Sequence, residues 1–328
     1  MADYIYGSAN VRALEAAIVS GDRIARLIDT KNLDEAYAQL SEYGVPMERD
    51  PESGKIKREE TLLAILKKAY GVIQELAPDS LALRLWLYPY DCNNLKAAIK
   101  CSVRGIDPRP MLFDFGTVEA EEIVSMVEKG HFDGLSPAMR MAAEEAVALY
   151  AKTKNPQLID LTLDKACYRD MLSAAMASGD DFSKRLVVAR IDLTNVLTVV
   201  RILRMKSGEA GKALMEEAFL EGGLLSRADL LGKTEETVWE ELRYTCYGSF
   251  AHAVAEGNGS LSGIERAADD FVMEIVKETK FIPVGAEVMI AFLLAHEYEV
   301  KNLRIVLAGK EAGLSPSVIR ERIRKSYV

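Results

Sequence analysis

YDCNNL, residues 90–95, sets an aspartate and, three positions later, an asparagine into a stretch otherwise rich in leucine and alanine. The arrangement returns as IDLTNV at 191–196 and as YEVKNL at 298–303. Asp91, Asp192 and Glu299 thus stand three residues before Asn94, Asn195 and Asn302, with the asparagines 101 and then 107 positions apart. On a helix, residues three apart lie on neighbouring rows of one face, so each pair projects together. The spacing predicts a helical module of roughly 100 residues built three times, larger than the solenoid repeats of about 33–47 residues.

The surrounding sequence supports an all-α chain. EETLLAILKKAYGVIQELA (59–77) places Leu62, Leu63, Leu66, Tyr70, Ile73 and Leu76 at three- and four-residue steps. The segments 138–152, 183–205 and 286–313 read the same way. Pro46, Pro51, Pro78, Pro108, Pro110, Pro137, Pro156, Pro283 and Pro316 fall between these stripes, where proline ends helices. Pro89 alone stands just before a motif, where it opens or kinks that helix. No set of alternating strands is evident.

The breaks follow the repeat. RGIDPRP (104–110), MKSGEAG (205–211) and GLSP (313–316) follow the three motifs, and helices over 59–77, 157–177 and 263–278 precede them. Short helical hairpins at 23–45 and 118–132 are expected to open the first two units. The expected lobes are 1–107, 108–212 and 213–328. Three such bundles can close around a pseudo-threefold axis, which removes exposed ends.

Half of the 328 residues are hydrophobic, enough for a large interior, and the formal charge is -9. An acidic chain is a poor nucleic-acid partner, because phosphate binding needs a basic stripe. Arg320, Arg322, Arg324 and Lys325 run against that balance; they suit a helix C-terminal dipole, or else an acidic partner or anionic lipid. Four cysteines without CxxC spacing, and an opening that lacks a leader pattern, predict reduced thiols and a cytoplasmic chain. Arg190, Asp192 and Glu287 interrupt the most apolar stretches, so no membrane span is expected.

Near-matches to catalytic motifs fail at the residues that carry the chemistry. LGKT (231–234) has Arg227 where a P-loop needs its first glycine, and EAGKA (209–213) has Lys206 there and Ala213 in place of the magnesium-binding hydroxyl. HEYEV (296–300) puts Val300 at the second zinc-ligand position, and GNGSLSG (257–263) lacks the central serine of a nucleophile elbow. No catalytic residue, metal or cofactor site is expected. The acid–asparagine pairs remain. Buried without partners, such groups cost about 1–3 kcal/mol each. They are expected either to bond a neighbouring helix terminus or loop, fixing the geometry of each unit, or to face a shared central opening.

Tyr4-Ile5-Tyr6 followed by ANVRALEA (9–16), the three acid–x–x–Asn motifs, and the closing EVKNLRIVLAGKEAGLSP (299–316) together resemble the C/d subunit family of rotary V/A-type (vacuolar/archaeal-type) ATPases. The second copy departs from the others with Ile191 for tyrosine and Val196 for leucine. The resemblance implies a funnel of three similar helical lobes on the cytoplasmic face of a membrane, peripheral to it. One end would rest on the rotor ring of proteolipid subunits. The cavity would take the central shaft, a coiled-coil D-type protein with a small F-type companion. It also implies a non-catalytic adapter that couples ATP turnover to H⁺ or Na⁺ movement. Lys96, Lys100, Arg201, Arg204 and Arg304, which follow the motifs, are the expected shaft contacts, set against ordinary solvated helix charge. An all-α scaffold for soluble partners is the alternative.

Overall fold

A computed structural model describes residues 4–77, 79–205, 208–257 and 259–328. The helix end expected at Pro78, Lys206 and Ser207 of the second connector, and Asn258 of the glycine-rich loop lie outside the described residues. Every regular element described is a helix, and one isolated antiparallel bridge joins Arg49 and Ile56. In chain order, α1 is Tyr4–Leu14, α2 Gly21–Asp29, α3 Leu33–Glu42, α4 Arg58–Leu76, α5 Leu81–Arg84, α6 Tyr88–Ser102, α7 Ala120–Lys129 and α8 Pro137–Thr153. Then follow α9 Gln157–Ser178, α10 Asp181–Met205, α11 Glu209–Ala218, α12 Arg227–Leu230 and α13 Glu235–Leu242. The last are α14 Gly248–Glu256, α15 Leu261–Lys277, α16 Ala286–Glu311 and α17 Pro316–Arg320.

Local sequence sets the helix ends. Ser20, Asn32, Ser136 and Ser260 cap α2, α3, α8 and α15, each accepting a backbone N–H with its side-chain oxygen. Pro137 and Pro316 sit in the first turns of α8 and α17, where the missing N–H costs nothing. Pro89 does the same in α6, so it opens the first motif helix and does not kink it. Gly130 and Gly179 end α7 and α9 in the left-handed conformation that glycine adopts without strain.

The chain forms two compact units, one joining Met1–Pro78 to Trp239–Val328 and the other comprising Asp79–Val238. In the first, α16 is buried without a break from Val288 to Ala295. A helix apolar on all sides must be enclosed, and α1, α2, α3, α4, α15 and α17 pack around it. Close approach is built in: a Cβ on Gly7 of α1 would stand 3.0 Å from the Met289 sulfur. In the second unit α9 packs against α5, α6, α8 and α10, and α10 buries Leu186, Val187, Ile191, Val196 and Val200. No described helix is long and apolar enough to cross a membrane.

Candidate functional site

Each asparagine makes the same pair of bonds. Asn94 Nδ2 donates to the Phe113 carbonyl at 2.9 Å while its Oδ1 accepts the Phe113 N–H at 2.8 Å. Asn195 bonds both groups of Leu220 at 2.8 Å. Asn302 Nδ2 donates to the Arg324 carbonyl at 3.0 Å and its Oδ1 accepts the Arg324 N–H at 2.9 Å. A primary amide offers a donor and an acceptor side by side, so it pairs with one residue's backbone as a neighbouring strand would. Aspartate lacks the donor and leucine lacks both.

Asp91 and Asp192 bind further along the same connections, and Glu299 binds a segment near the N-terminus. Asp91 accepts the Thr117 N–H at 2.9 Å, the Thr117 hydroxyl at 2.6 Å and the Val118 N–H at 3.3 Å. Asp192 accepts the N–H groups of Leu224 at 2.8 Å and Leu225 at 3.0 Å. Glu299 accepts the N–H of Val19 at 2.7 Å. Val118, Leu225 and Val19 occupy one common position, because Glu119, Ser226 and Ser20 directly after them are the N-caps of α7, α12 and α2. Each acid therefore anchors the entry of a short helix; Asn94 and Asn195 anchor the loop before that helix, and Asn302 anchors the C-terminal segment at Arg324.

These bonds cross the expected lobe boundaries at 107/108 and 212/213. The segment 118–132, expected to open the second unit, is tied to the first motif. The hairpin of α2 and α3, expected to open the first unit, is tied through Val19 to the third. The first two motifs take their partners from downstream, whereas the third takes Arg324 from downstream and Val19 from the N-terminal segment. Gly21 N–H donates to the Val328 carbonyl at 3.0 Å, which joins the two ends directly.

Two glycines stand outside the repeat pattern of acids and amides. A Cβ on Gly116 would stand 2.2 Å from Asp91 Oδ1, and one on Gly223 would stand 1.9 Å from Asp192 Oδ1. Both lie two residues before the last N–H that the carboxylate accepts, so aligning FGTV with GGLL exposes the signal. Ile191, which stands where the other two motifs have tyrosine, packs on this same loop, its Cγ2 3.2 Å from the Gly223 Cβ position. In the first copy Tyr90 instead packs edge-on against Phe113 and at a tilt against Phe115, with centroids 5.1 and 4.5 Å away.

The basic side chains after the motifs meet acids of their own chain. Lys96 bonds Asp164, Lys100 bonds Asp160, Arg204 Nε bonds Glu235 at 2.9 Å, and Arg304 Nε bonds Glu59 at 2.9 Å. Arg201 is exposed on α10. Beside the first junction lies a cleft of about 470 Å³ lined by Arg84, Tyr88, Asp91, Ser136 and Asp170 among others. Two of its polar groups are engaged with each other: Ser136 caps α8 and donates to Asp170, and burial raises the Asp170 carboxyl. Burial likewise lifts Asp91 above the usual carboxylate range, against the opposing pull of Thr117 and Val118.

The sequence matches the family described as ATP synthase (C/AC39) subunit over residues 8–322, a span that contains all six motif residues. The chain belongs to that family. Relatives within it include the C subunit of the A-type ATP synthase of Methanocaldococcus jannaschii, 26% identical over 98% of this chain and 86% of that one. The equivalent protein of Pyrococcus abyssi is 24% identical over 98% of this chain and 90% of its own. That of Haloferax volcanii is 30% identical over 65% of this chain and 60% of its own.

Proposed function

We propose that this chain is a non-catalytic adapter in the central stalk of an A-type rotary ATPase or ATP synthase, linking the membrane proteolipid ring to the central shaft. The observation that carries the reading is family membership across nearly the whole chain, shared with relatives named as the C subunit of A-type ATP synthases. In this reading three lobes, 1–107, 108–212 and 213–328, surround a cavity as a funnel, peripheral on the cytoplasmic face. The D-type coiled coil and its F-type companion enter the cavity.

The physics of the junctions fits such a part. Torque is transmitted only by a body whose elements do not slide, and buried side chains that bond backbone at defined points resist sliding better than apolar contact alone. Lys96, Lys100, Arg201, Arg204 and Arg304 remain the proposed shaft contacts. Lys96, Lys100, Arg204 and Arg304 already hold an acid of this chain, so at these a partner would exchange or extend an ion pair rather than meet a bare charge. That suits an interface with mixed polarity that forms reversibly.

Deleting the gene and assaying membranes tests the role. The expected result is a soluble head that still hydrolyses ATP while ion transport driven by that hydrolysis is lost. Normal transport without the protein rejects the adapter reading. Failure to co-purify with ring and shaft would favour a scaffold for soluble partners.

A further inference from the structure

The third junction differs from the first two in the hydrogen bonds its carboxylate receives. Asp91 and Asp192 have backbone N–H groups on both carboxylate oxygens. At the third junction the residue before Val19 is Ile18, whose N–H is already given to the Glu15 carbonyl at 3.1 Å. Glu299 therefore receives one backbone N–H, on Oε1. Its Oε2 is buried and has no hydrogen-bond partner among the described residues. The group nearest in kind is His296, one turn back on α16, with Nε2 4.0 Å from Oε2 and a side chain only 12% exposed.

The tautomer of His296 follows from its other nitrogen. Nδ1 lies 2.9 Å from the Phe292 carbonyl, which only accepts, so Nδ1 carries a hydrogen. In the neutral ring Nε2 is then a lone pair facing the orphaned carboxyl oxygen. Two acceptors face each other unless a proton lies between them. We propose that Glu299 and His296 hold one proton between them, as a carboxylic acid beside a neutral imidazole, and that closing the chain ends moves this proton from the ring to the carboxyl.

The environment favours the uncharged pair. Burial pushes the Glu299 carboxyl up to about 7, opposed only by the Val19 N–H, and pushes His296 down to about 4, helped by Lys68 on α4. Other charges on the packed elements are engaged elsewhere. Arg12 of α1 bonds Glu15 and Tyr327, Tyr70 and Glu59 of α4 bond Glu297 and Arg304, and Arg320 of α17 bonds Asp29 of α2. From α15, Asp269 bonds Lys301 and Arg324. In the unfolded chain at mildly acidic pH the histidine holds the proton and the glutamate does not. In the folded chain the positions reverse, so folding takes up no net proton.

Nitrogen-15 NMR of the full chain labelled at histidine tests this, with His131 and His252 assigned by glutamine variants. The expected His296 ring is neutral with its proton on Nδ1 from about pH 5 to about pH 8. Its Nε2 resonance should move with an inflection near pH 7 as the neighbouring carboxyl ionises, and Glu299→Gln should abolish that step. Stability against pH gives an independent reading. Glu299→Gln leaves a histidine that is protonated only when unfolded, so stability rises with pH between about 4.5 and 6.5. His296→Gln leaves a carboxyl protonated only when folded, so stability falls over about the same range, while the unaltered chain shows neither trend from this pair. An imidazolium ring at about pH 5.5, or no inflection near 7, overturns the proposal even if neither variant folds. So does an inflection that survives Glu299→Gln.

Discussion

The Val19 amide donates to the Glu299 carboxylate at 2.7 Å across 280 positions of sequence, and this bond makes the two ends of the chain parts of one junction. Around it, Arg12 donates to the Thr279 carbonyl at 2.5 Å, the Ile282 carbonyl at 3.1 Å and the Tyr327 hydroxyl at 2.8 Å. Both termini are therefore structural. Removing Arg324–Val328 takes away both Asn302 bonds and the acceptor of the Gly21 N–H. Asn302 is fully buried, so the loss is expected to cost about 3 kcal/mol or more. Chemical denaturation checks this; an unchanged midpoint would refute the closure of the ends as a source of stability.

Asn195 offers the cleanest test of the amide pairing, since its partner Leu220 is also buried. Asn195→Leu strands the N–H and the carbonyl of Leu220 and should destabilise by roughly 2–4 kcal/mol. Asn195→Asp keeps the acceptor but sets an anion against the carbonyl, and should be no better. Calorimetry of the three proteins decides; equal unfolding temperatures would mean that the bonds contribute nothing.

Glycine substitutions should split by environment. Gly223→Ala forces its new methyl into Asp192 and is expected to cost about 1–3 kcal/mol. Gly71, inside α4 with nothing within 4 Å of its Cβ position, should do the reverse. Gly71→Ala is expected to stabilise by about 0.4–1 kcal/mol, because alanine loses less chain entropy in a helix. Two midpoints moving in the same direction would contradict this reading of the loops.

Arg201 and Arg204 separate folding from assembly. Arg204 forms an exposed ion pair with Glu235, and such pairs contribute about 0.2–1 kcal/mol. Replacing both arginines with alanine should therefore leave the unfolding midpoint almost unchanged. If α10 meets an acidic shaft surface, affinity for purified shaft should fall roughly tenfold and become less sensitive to salt. Undiminished binding would remove these two residues from the interface.

Helical periodicity made the fold class legible, since apolar residues at steps of three and four have one economical way to be buried. Of the stripe along α4, Leu62, Leu66, Tyr70 and Ile73 are buried, and Leu63 and Leu76 at its margins are half-buried. Pro89 was open to two readings, which differ only in where the helix begins. Periodicity also left the partner of α4 open. It packs on α16, more than 200 residues away, and no local pattern encodes that pairing.

The six motif residues could be found by repetition alone, because a polar pair returning three times in apolar surroundings is a pattern in one dimension. Their partners could not. Phe113, Leu220 and Arg324 enter through backbone groups, which every residue but proline possesses, so no side-chain type marks them. The order of residues is enough to specify the helices and the repeated acid and amide. Closure of the third junction on Val19 emerges only in three dimensions. Glu299 takes its amide from Val19, 280 positions earlier, and a bond across that separation has no local pattern to announce it.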